Sequence, residues 1–299
     1  MDDPSLLTCG ACTKIQVSVV IPASTRREGL LHTLSVIHAC TPAPDDVCVH
    51  VDGADPGILE SIERFWPEVR IFSSPERLGP GGARHLLINA ALHEIVVSFD
   101  DDSFPADPSF FSRVEWVFRF HPEATMLAAA TSPAKGTPPS DCPIRVAEFE
   151  GCGCVYRKSA YQKLPGYVPR RVAYGMEELD LSLQLYQHGG IILYDSKLPV
   201  IHLSASPDRH SCQERAEMVV NAGLLPFLRY PCWLTPLMFW HVATRMRWEI
   251  SHGTLAAALL GMLLLPCRLF ALRRFRQPAS ASAVLGWHRL RKLERRRST

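Results

Sequence analysis

The chain has 299 residues, 47% of them hydrophobic and 21% charged, with a formal net charge of +2. That length holds one large domain or two ordinary ones, and the balance excludes a disordered chain. The start, Met1-Asp2-Asp3-Pro4, lacks the basic and apolar regions of a signal peptide, so a cytoplasmic protein is expected.

Residues 1–14 read as a loose leader. Val17-Ser18-Val19-Val20-Ile21, stopped by Pro22, predicts a strand buried on both faces of a parallel sheet. Residues 27–39 carry Leu30, Leu31, Leu34 and Ile37 at helical spacing. A second strand over 47–51 ends in Asp52-Gly53. A short helix over 58–65, a strand over 69–72 and a glycine-led helix over 79–91 follow. The fourth strand, over 94–99, runs into Asp100-Asp101-Asp102. Strands and helices alternate with short loops, which predicts an α/β doubly wound, mostly parallel sheet. Ligands of such sheets bind outside the carboxyl ends of the strands, where Asp52 and the Asp triplet stand.

Further on, the pattern predicts a helix over 108–120, a strand over 124–130 and a Pro-, Ser- and Gly-rich loop over 131–145. A strand over 153–156, a helix over 177–188 and short strands over 191–194 and 198–203 complete this part. From residue 206 only helices are predicted, over 215–230, 234–250 and 254–274. No stretch reaches the ~18 uninterrupted apolar residues of a spanning helix; the closest, residues 254–267, is cut off by Arg268.

Three adjacent carboxylates repel one another unless something positive sits among them. A hard divalent cation with oxygen ligands serves that need and can hold a diphosphate, which suggests a nucleotide-linked substrate. The plain alternative is a solvated acidic turn. Asp52 can accept hydrogen bonds from a pyrimidine or ribose, or can be a turn residue before Gly53. Gly79, Gly81 and Gly82 let backbone approach a nucleotide near a helix start, where amides favour anions; tight packing would also explain them. Arg84 adds a guanidinium suited to phosphate oxygens. Cys9-x-x-Cys12 and Cys152-x-Cys154 could in principle make a four-thiolate zinc site, but the spacing fits neither ribbon nor finger. Buried or free thiols are the preferred reading.

The ordered set Val19-Val20-Ile21-Pro22 with Arg26, Val51-Asp52-Gly53, Leu78-Gly79-Pro80-Gly81-Gly82-Ala83-Arg84, Phe99-Asp100-Asp101-Asp102, Gly151-Cys152-Gly153, Gly175-Met176-Glu177-Glu178-Leu179-Asp180 and Val200-Ile201-His202 resembles the family-2 glycosyltransferases of GT-A fold. The resemblance covers residues 15–205, leaving 206–299 as a helical, basic extension. It implies inverting transfer of a sugar from a nucleotide diphosphate, first of all a UDP-sugar, to an acceptor hydroxyl in cell-envelope or polysaccharide glycan synthesis. It implies that Pro22, Arg26, Asp52, Gly81, Gly82, Arg84, Asp100 and Asp101 bind the donor. Asp102 would hold Mn²⁺ or Mg²⁺, and His202 matches a position that adds a metal ligand in some members.

The general base is expected in the Glu177-Glu178 pair, with Glu178 favoured, although two acids at a helix start also complement the dipole. The family more often has Glu-Asp there. Asp180, one turn on, is expected to orient the site or a basic neighbour. His85 and Leu87 depart from the Asn and Gly that often continue the glycine motif in the family.

Between Arg268 and the end lie nine Arg and one Lys against Glu294 alone. Trp233, Phe239, Trp240 and Trp248 interleave with Arg245 and Arg247, which suits a peripheral position on the inner face of an anionic membrane and a glycan or lipid-linked acceptor. Nucleic acid is not expected as a partner. Two other enzyme readings lack their signatures. Pro22-Ala23-Ser24-Thr25-Arg26 stands where a sugar nucleotidyltransferase would carry its glycine-rich loop. No G-x-G-x-x-G follows the first strand, as a dinucleotide-dependent oxidoreductase requires. A membrane-bound nucleotide-sugar-binding scaffold without turnover is the non-enzyme alternative.

Overall fold

The computed structural model describes residues 15–131, 142–172, 176–203 and 210–297. The expected leader over 1–14 with Cys9 and Cys12, most of the 131–145 loop, and Gly175 lie outside the described residues.

In chain order the elements are β1 (Val17–Ala23), α1 (Arg27–His38), β2 (Asp46–Asp52), α2 (Pro56–Phe65), β3 (Arg70–Ser74), α3 (Gly79–Ala90), β4 (Ile95–Ser98), β5 (Ser103–Pro105), α4 (Phe110–Phe120), β6 (Met126–Ala130), β7 (Ile144–Val146), β8 (Cys154–Arg157), α5 (Lys158–Tyr161), α6 (Glu177–Gln187), β9 (Ile192–His202), α7 (Cys212–Arg229), α8 (Leu237–Ser251), α9 (Leu255–Leu272) and α10 (Ala281–Arg297). Two short strands, β5 and β7, and the helix α10 were not legible in the sequence. The two strands expected over 191–203 are one continuous strand, β9.

The sheet order is β3-β2-β1-β4-β8-β6-β9-β5, with β7 also paired to β9. From β3 to β9 every strand except β8 runs in one direction. β1, β2 and β4 are buried along their whole length on both faces, whereas β3 at the sheet edge is only partly covered. On β1, Val19 and Ile21 meet Leu30, Leu34, Phe110 and Val114 on one side, and Val20 meets Leu87 and Leu181 on the other. Each fully buried side chain of this kind contributes about 1.5–3 kcal/mol.

Strand order turns outward in both directions from β1, towards β2 and towards β4. The crevice of a doubly wound sheet opens at such a point. β5 adds what the sequence could not show. It pairs with the end of β9 in the register Ser103↔His202, so His202 lands beside Asp102.

The last four helices enclose their own apolar clusters against the α6 side of the molecule. Two buried carboxylates tie them down. Asp180 on α6 receives Arg229 of α7, and Glu217 of α7 receives both Arg170 and Arg268. Arg268 does not interrupt the apolar stretch as expected. It reaches the buried Glu217 while leaving 43% of its side chain exposed, and α9 continues through it; Leu255–Phe275 is long and apolar enough to cross a membrane by length and composition. One face of α9 (Ala257, Ala258, Gly261 and Leu265) is packed, with the Gly261 backbone close against Val219 and Ala216. The end of the basic tail is also less loose than expected. It forms α10, with Trp287 fully buried and its indole donating to the Ala147 carbonyl at 2.9 Å.

Candidate active site

An open cleft of about 1830 Å³ lies outside the carboxyl ends of β1, β2 and β4. Pro22, Arg26 and Asp52 line it from one side, and the Asp100–Asp102 triplet from its floor. Arg84, Glu177, Glu178 and His202 complete the set that the sequence singled out. Asp180, Gly81 and Gly82 do not line it.

Asp52 ends β2 with both carboxylate oxygens facing the start of α3. Oδ1 accepts from the Leu78 amide at 2.7 Å and Oδ2 from the Gly79 amide at 3.0 Å. Two otherwise orphaned helix donors are thereby satisfied, and the positive end of the helix meets a charge. Gly79 has φ +73, and a Cβ there would sit 1.6 Å from the Arg170 carbonyl oxygen, so no other residue fits. Gly81 is needed for a different reason: a Cβ would meet Glu177 Oε2 at 2.4 Å. Gly82 lies close against Leu78 and Pro169. Of the two explanations for this glycine run, close packing is the one seen in the geometry.

Arg84 is 2% exposed and spends all three of its nitrogens on the protein. Nε donates to Ser98 Oγ at 3.2 Å, Nη1 to Glu177 Oε1 at 3.0 Å, and Nη2 pairs with Asp100. Burial opposes its charge, but the carboxylates of Asp100 and Glu177 more than offset this, and its pKa is raised well above the usual value. The guanidinium therefore holds two acids in position rather than reaching into the cleft.

The rest of the triplet has its own partners. Arg26 pairs with Asp102 and lies 3.5 Å from Asp101 Oδ1. His202 Nε2 stands 3.3 Å from Asp102 Oδ1. Burial raises the Asp101 carboxyl despite Arg26 and the Ser24 amide. So the positive charge that three adjacent carboxylates demand comes in this structure from Arg84 and Arg26, with His202 adding to it when protonated.

Glu177 and Glu178 open α6. Glu177 is buried, and its second oxygen lies against Gly81 without a hydrogen bond of normal geometry. Burial raises its pKa although Arg84 pulls it down. Glu178 is half-buried and faces the cleft. Burial first, and the neighbouring Glu177 charge second, push its carboxyl up to about 8. Asp180 points away from both and is held by Arg229, the basic-neighbour arrangement anticipated for it.

Three residues of the site, Cys152, Glu148 and Arg291, have partners there that the sequence did not indicate. Cys152 is buried with Sγ 3.5 Å from His202 Nδ1, and Asp100, Cys152 and His202 bring one ligand atom each within 4.8 Å of one another. Cys154 turns the other way, donating to the Gly151 carbonyl and the Tyr156 hydroxyl, so the C-x-C pair does not share a site. Glu148 and Arg291, 3.0 Å apart, bring α10 to the cleft wall. Their partners lie dozens to more than a hundred positions away, and nothing local marks them.

Comparison with known proteins accords with this geometry. No curated protein sequence matches the chain. The solved structure of mannosyltransferase PcManGT from Pyrobaculum calidifontis, in complex with GDP-Man and Mn²⁺, is similar at 16% identity and TM-score 0.58, over 95% of this chain and 88% of that one. S. aureus TarS 1–349 in complex with UDP-GlcNAc is similar at 14% identity and TM-score 0.56, over 94% and 92%. GalNAc-T7 with UDP, GalNAc and Mn²⁺ gives 14% identity and TM-score 0.61, over 75% of this chain and 49% of that one. At such identities the likeness is one of fold. Residues 18–127 match the family model for Glycosyl transferase family 2. That segment, little more than a third of the chain, holds the strands β1 to β4, Asp52, Arg84 and the Asp triplet.

Proposed function

We propose that the protein transfers a sugar, with inversion at the anomeric carbon, from a nucleotide diphosphate donor to an acceptor hydroxyl, in a reaction that uses a divalent cation. The observation that carries this reading is the convergence of Asp52, the Asp triplet, His202 and Glu178 on one cleft at the strand ends. Asp52 and Asp100 suit the nucleoside, and Arg26, 55% exposed in its side chain, is free to swing towards the donor phosphates. Carboxylates and an imidazole fit Mn²⁺ or Mg²⁺. An ion held among these carboxylates and His202 would neutralise charge on the departing diphosphate. The acceptor oxygen attacks the anomeric carbon, Glu178 takes the hydroxyl proton, and the bond to the diphosphate oxygen breaks with its electron pair leaving on the nucleotide. Glu177 and Arg84 position Glu178 and Asp100.

The test is nucleotide diphosphate release from a panel of UDP- and GDP-sugars with Mn²⁺, Mg²⁺ or EDTA. Release is expected to need metal and to be abolished in Asp102→Asn. Donor binding in the wild type with no release, with or without added acceptor glycans, would instead favour the scaffold reading.

The acceptor is proposed to be lipid-borne, glycan assembly on the inner membrane face being its setting. α8 and α9 expose a joint apolar surface: Trp233, Leu237, Phe239, Trp240, Leu259 and Leu263 are each at least 40% exposed. Arg268, the one charged residue of α9, is paired with Glu217, and Arg273 and Arg274 follow at the helix end. Tryptophan beside arginine suits the headgroup boundary, and a helix packed along one side suits lying in the interface. The turn joining α8 to α9 sits near the start of α7, where Arg215 pairs with Glu249, and Ser211, Gln213 and Glu214 line the cleft. Cosedimentation with phosphatidylglycerol vesicles at low salt is expected, weakening with salt by about 1 kcal/mol per arginine engaged. Trp240→Asp/Leu263→Asp should remain in the supernatant. Failure of the wild type to pellet would remove the membrane from this reading.

A further inference from the structure

The loop Gly151-Cys152-Gly153 is fastened to both strands that carry the other polar groups of the cleft floor. The Gly153 amide donates to the Ser98 carbonyl at 2.7 Å, two residues before Asp100. Gly153 has φ +76, and a Cβ there would lie 2.5 Å from Val200 Cγ2, two residues before His202. Cys152 is only 4% exposed, yet it points at neither apolar core but at His202 Nδ1, 3.5 Å away. The imidazole's other nitrogen faces Asp102 Oδ1 at 3.3 Å. A carboxylate on the far nitrogen is the arrangement that holds a metal-bound histidine in orientation.

We infer that Cys152 is a metal ligand of this site: its Sγ joins a carboxylate oxygen of Asp100 and Nδ1 of His202 on one divalent ion, while Asp102 steadies the imidazole from Nε2. The thiol proton goes to solvent as the sulfur–metal bond forms. Sulfur is a soft donor, and its presence shifts the site away from Mg²⁺ and towards Zn²⁺ and Co²⁺, with Mn²⁺ between them. The inference rests on the reading that the cleft holds a divalent cation.

The experiment reads binding instead of turnover. Co²⁺ is titrated into full-length protein carrying Cys9→Ser/Cys12→Ser, which removes the leader's own C-x-x-C. A thiolate-to-cobalt charge-transfer band in the near ultraviolet is expected, saturating at one ion per chain. The band should survive an added Cys154→Ser and vanish with an added Cys152→Ser. Zinc K-edge X-ray absorption on the same parent needs no change at Cys152 and should show one sulfur at about 2.3 Å. A band that persists in Cys152→Ser, no band in the parent, or a zinc shell of nitrogen and oxygen only would overturn the assignment. Because no sugar is present, an inactive protein with an intact band would count against transfer and leave Cys152 as ligand. An active protein without the band would do the reverse.

Discussion

Glu178→Gln is expected to lower kcat by about 10²- to 10⁴-fold, the usual worth of a positioned general base, with little change in donor binding. Glutamine keeps the shape but cannot accept the acceptor's proton. The pH profile separates this role from a structural one. A base works only when deprotonated, and the Glu178 carboxyl is pushed up to about 8 by burial and by Glu177. In the free enzyme kcat/KM should therefore climb about tenfold per pH unit below about 8 and level off above it. Glu178→Gln should lose that limb. Glu177→Gln removes the neighbouring like charge, so the limb should move to lower pH. A flat profile in the wild type, or an unchanged limb in Glu178→Gln, would assign the base elsewhere.

The second large effect falls on stability. Asp180 and Arg229 each expose only 2% of their side chains and pair through the Nε and Nη2 edge of the guanidinium, with Nη2 to Oδ2 at 2.9 Å. Arg229 also donates to the Phe275 carbonyl at 3.2 Å, beyond the end of α9. Arg229→Met would leave a buried carboxylate without a partner, and removing one member of such a pair costs about 3–5 kcal/mol. The urea midpoint should fall accordingly, with an unchanged slope if the denatured state is unaffected. Asp180→Leu/Arg229→Met removes both charges and should regain much of the loss. Folded Asp180→Asn should keep its turnover, because this carboxylate lies outside the cleft. Loss of turnover with stability intact would return Asp180 to the chemistry.

Much of the N-terminal half could be read from local pattern. The strands at Val17 and Ile95 announce themselves because burial on both faces demands an unbroken apolar run. Asp52 and Asp100 follow such runs directly, so their place at the strand ends was fixed by the same pattern. Helices α1, α3 and α6 showed their periodicity and their glycine or acidic starts. β5 and β7 did not, since three-residue strands carry too few positions to show alternation. α10 was hidden by its charge: its arginines read as a tail, and only the burial of Trp287 makes it a helix that the fold needs.

What the chain by itself determined is the fold class, the acidic triplet at the cleft and the pair of glutamates, because each is a matter of residue type at short spacing. What only the tertiary structure decided is who meets whom. The β5–β9 register brings His202 to Asp102 across a hundred residues. Arg84 is given to Asp100 and Glu177 instead of to a phosphate, Arg268 is paired with Glu217, and Cys152 and Cys154 are sent in opposite directions. Pairings of this kind depend on distances between elements remote in sequence. Chain pattern carries no record of those distances until the sheet order and the helix packing set them.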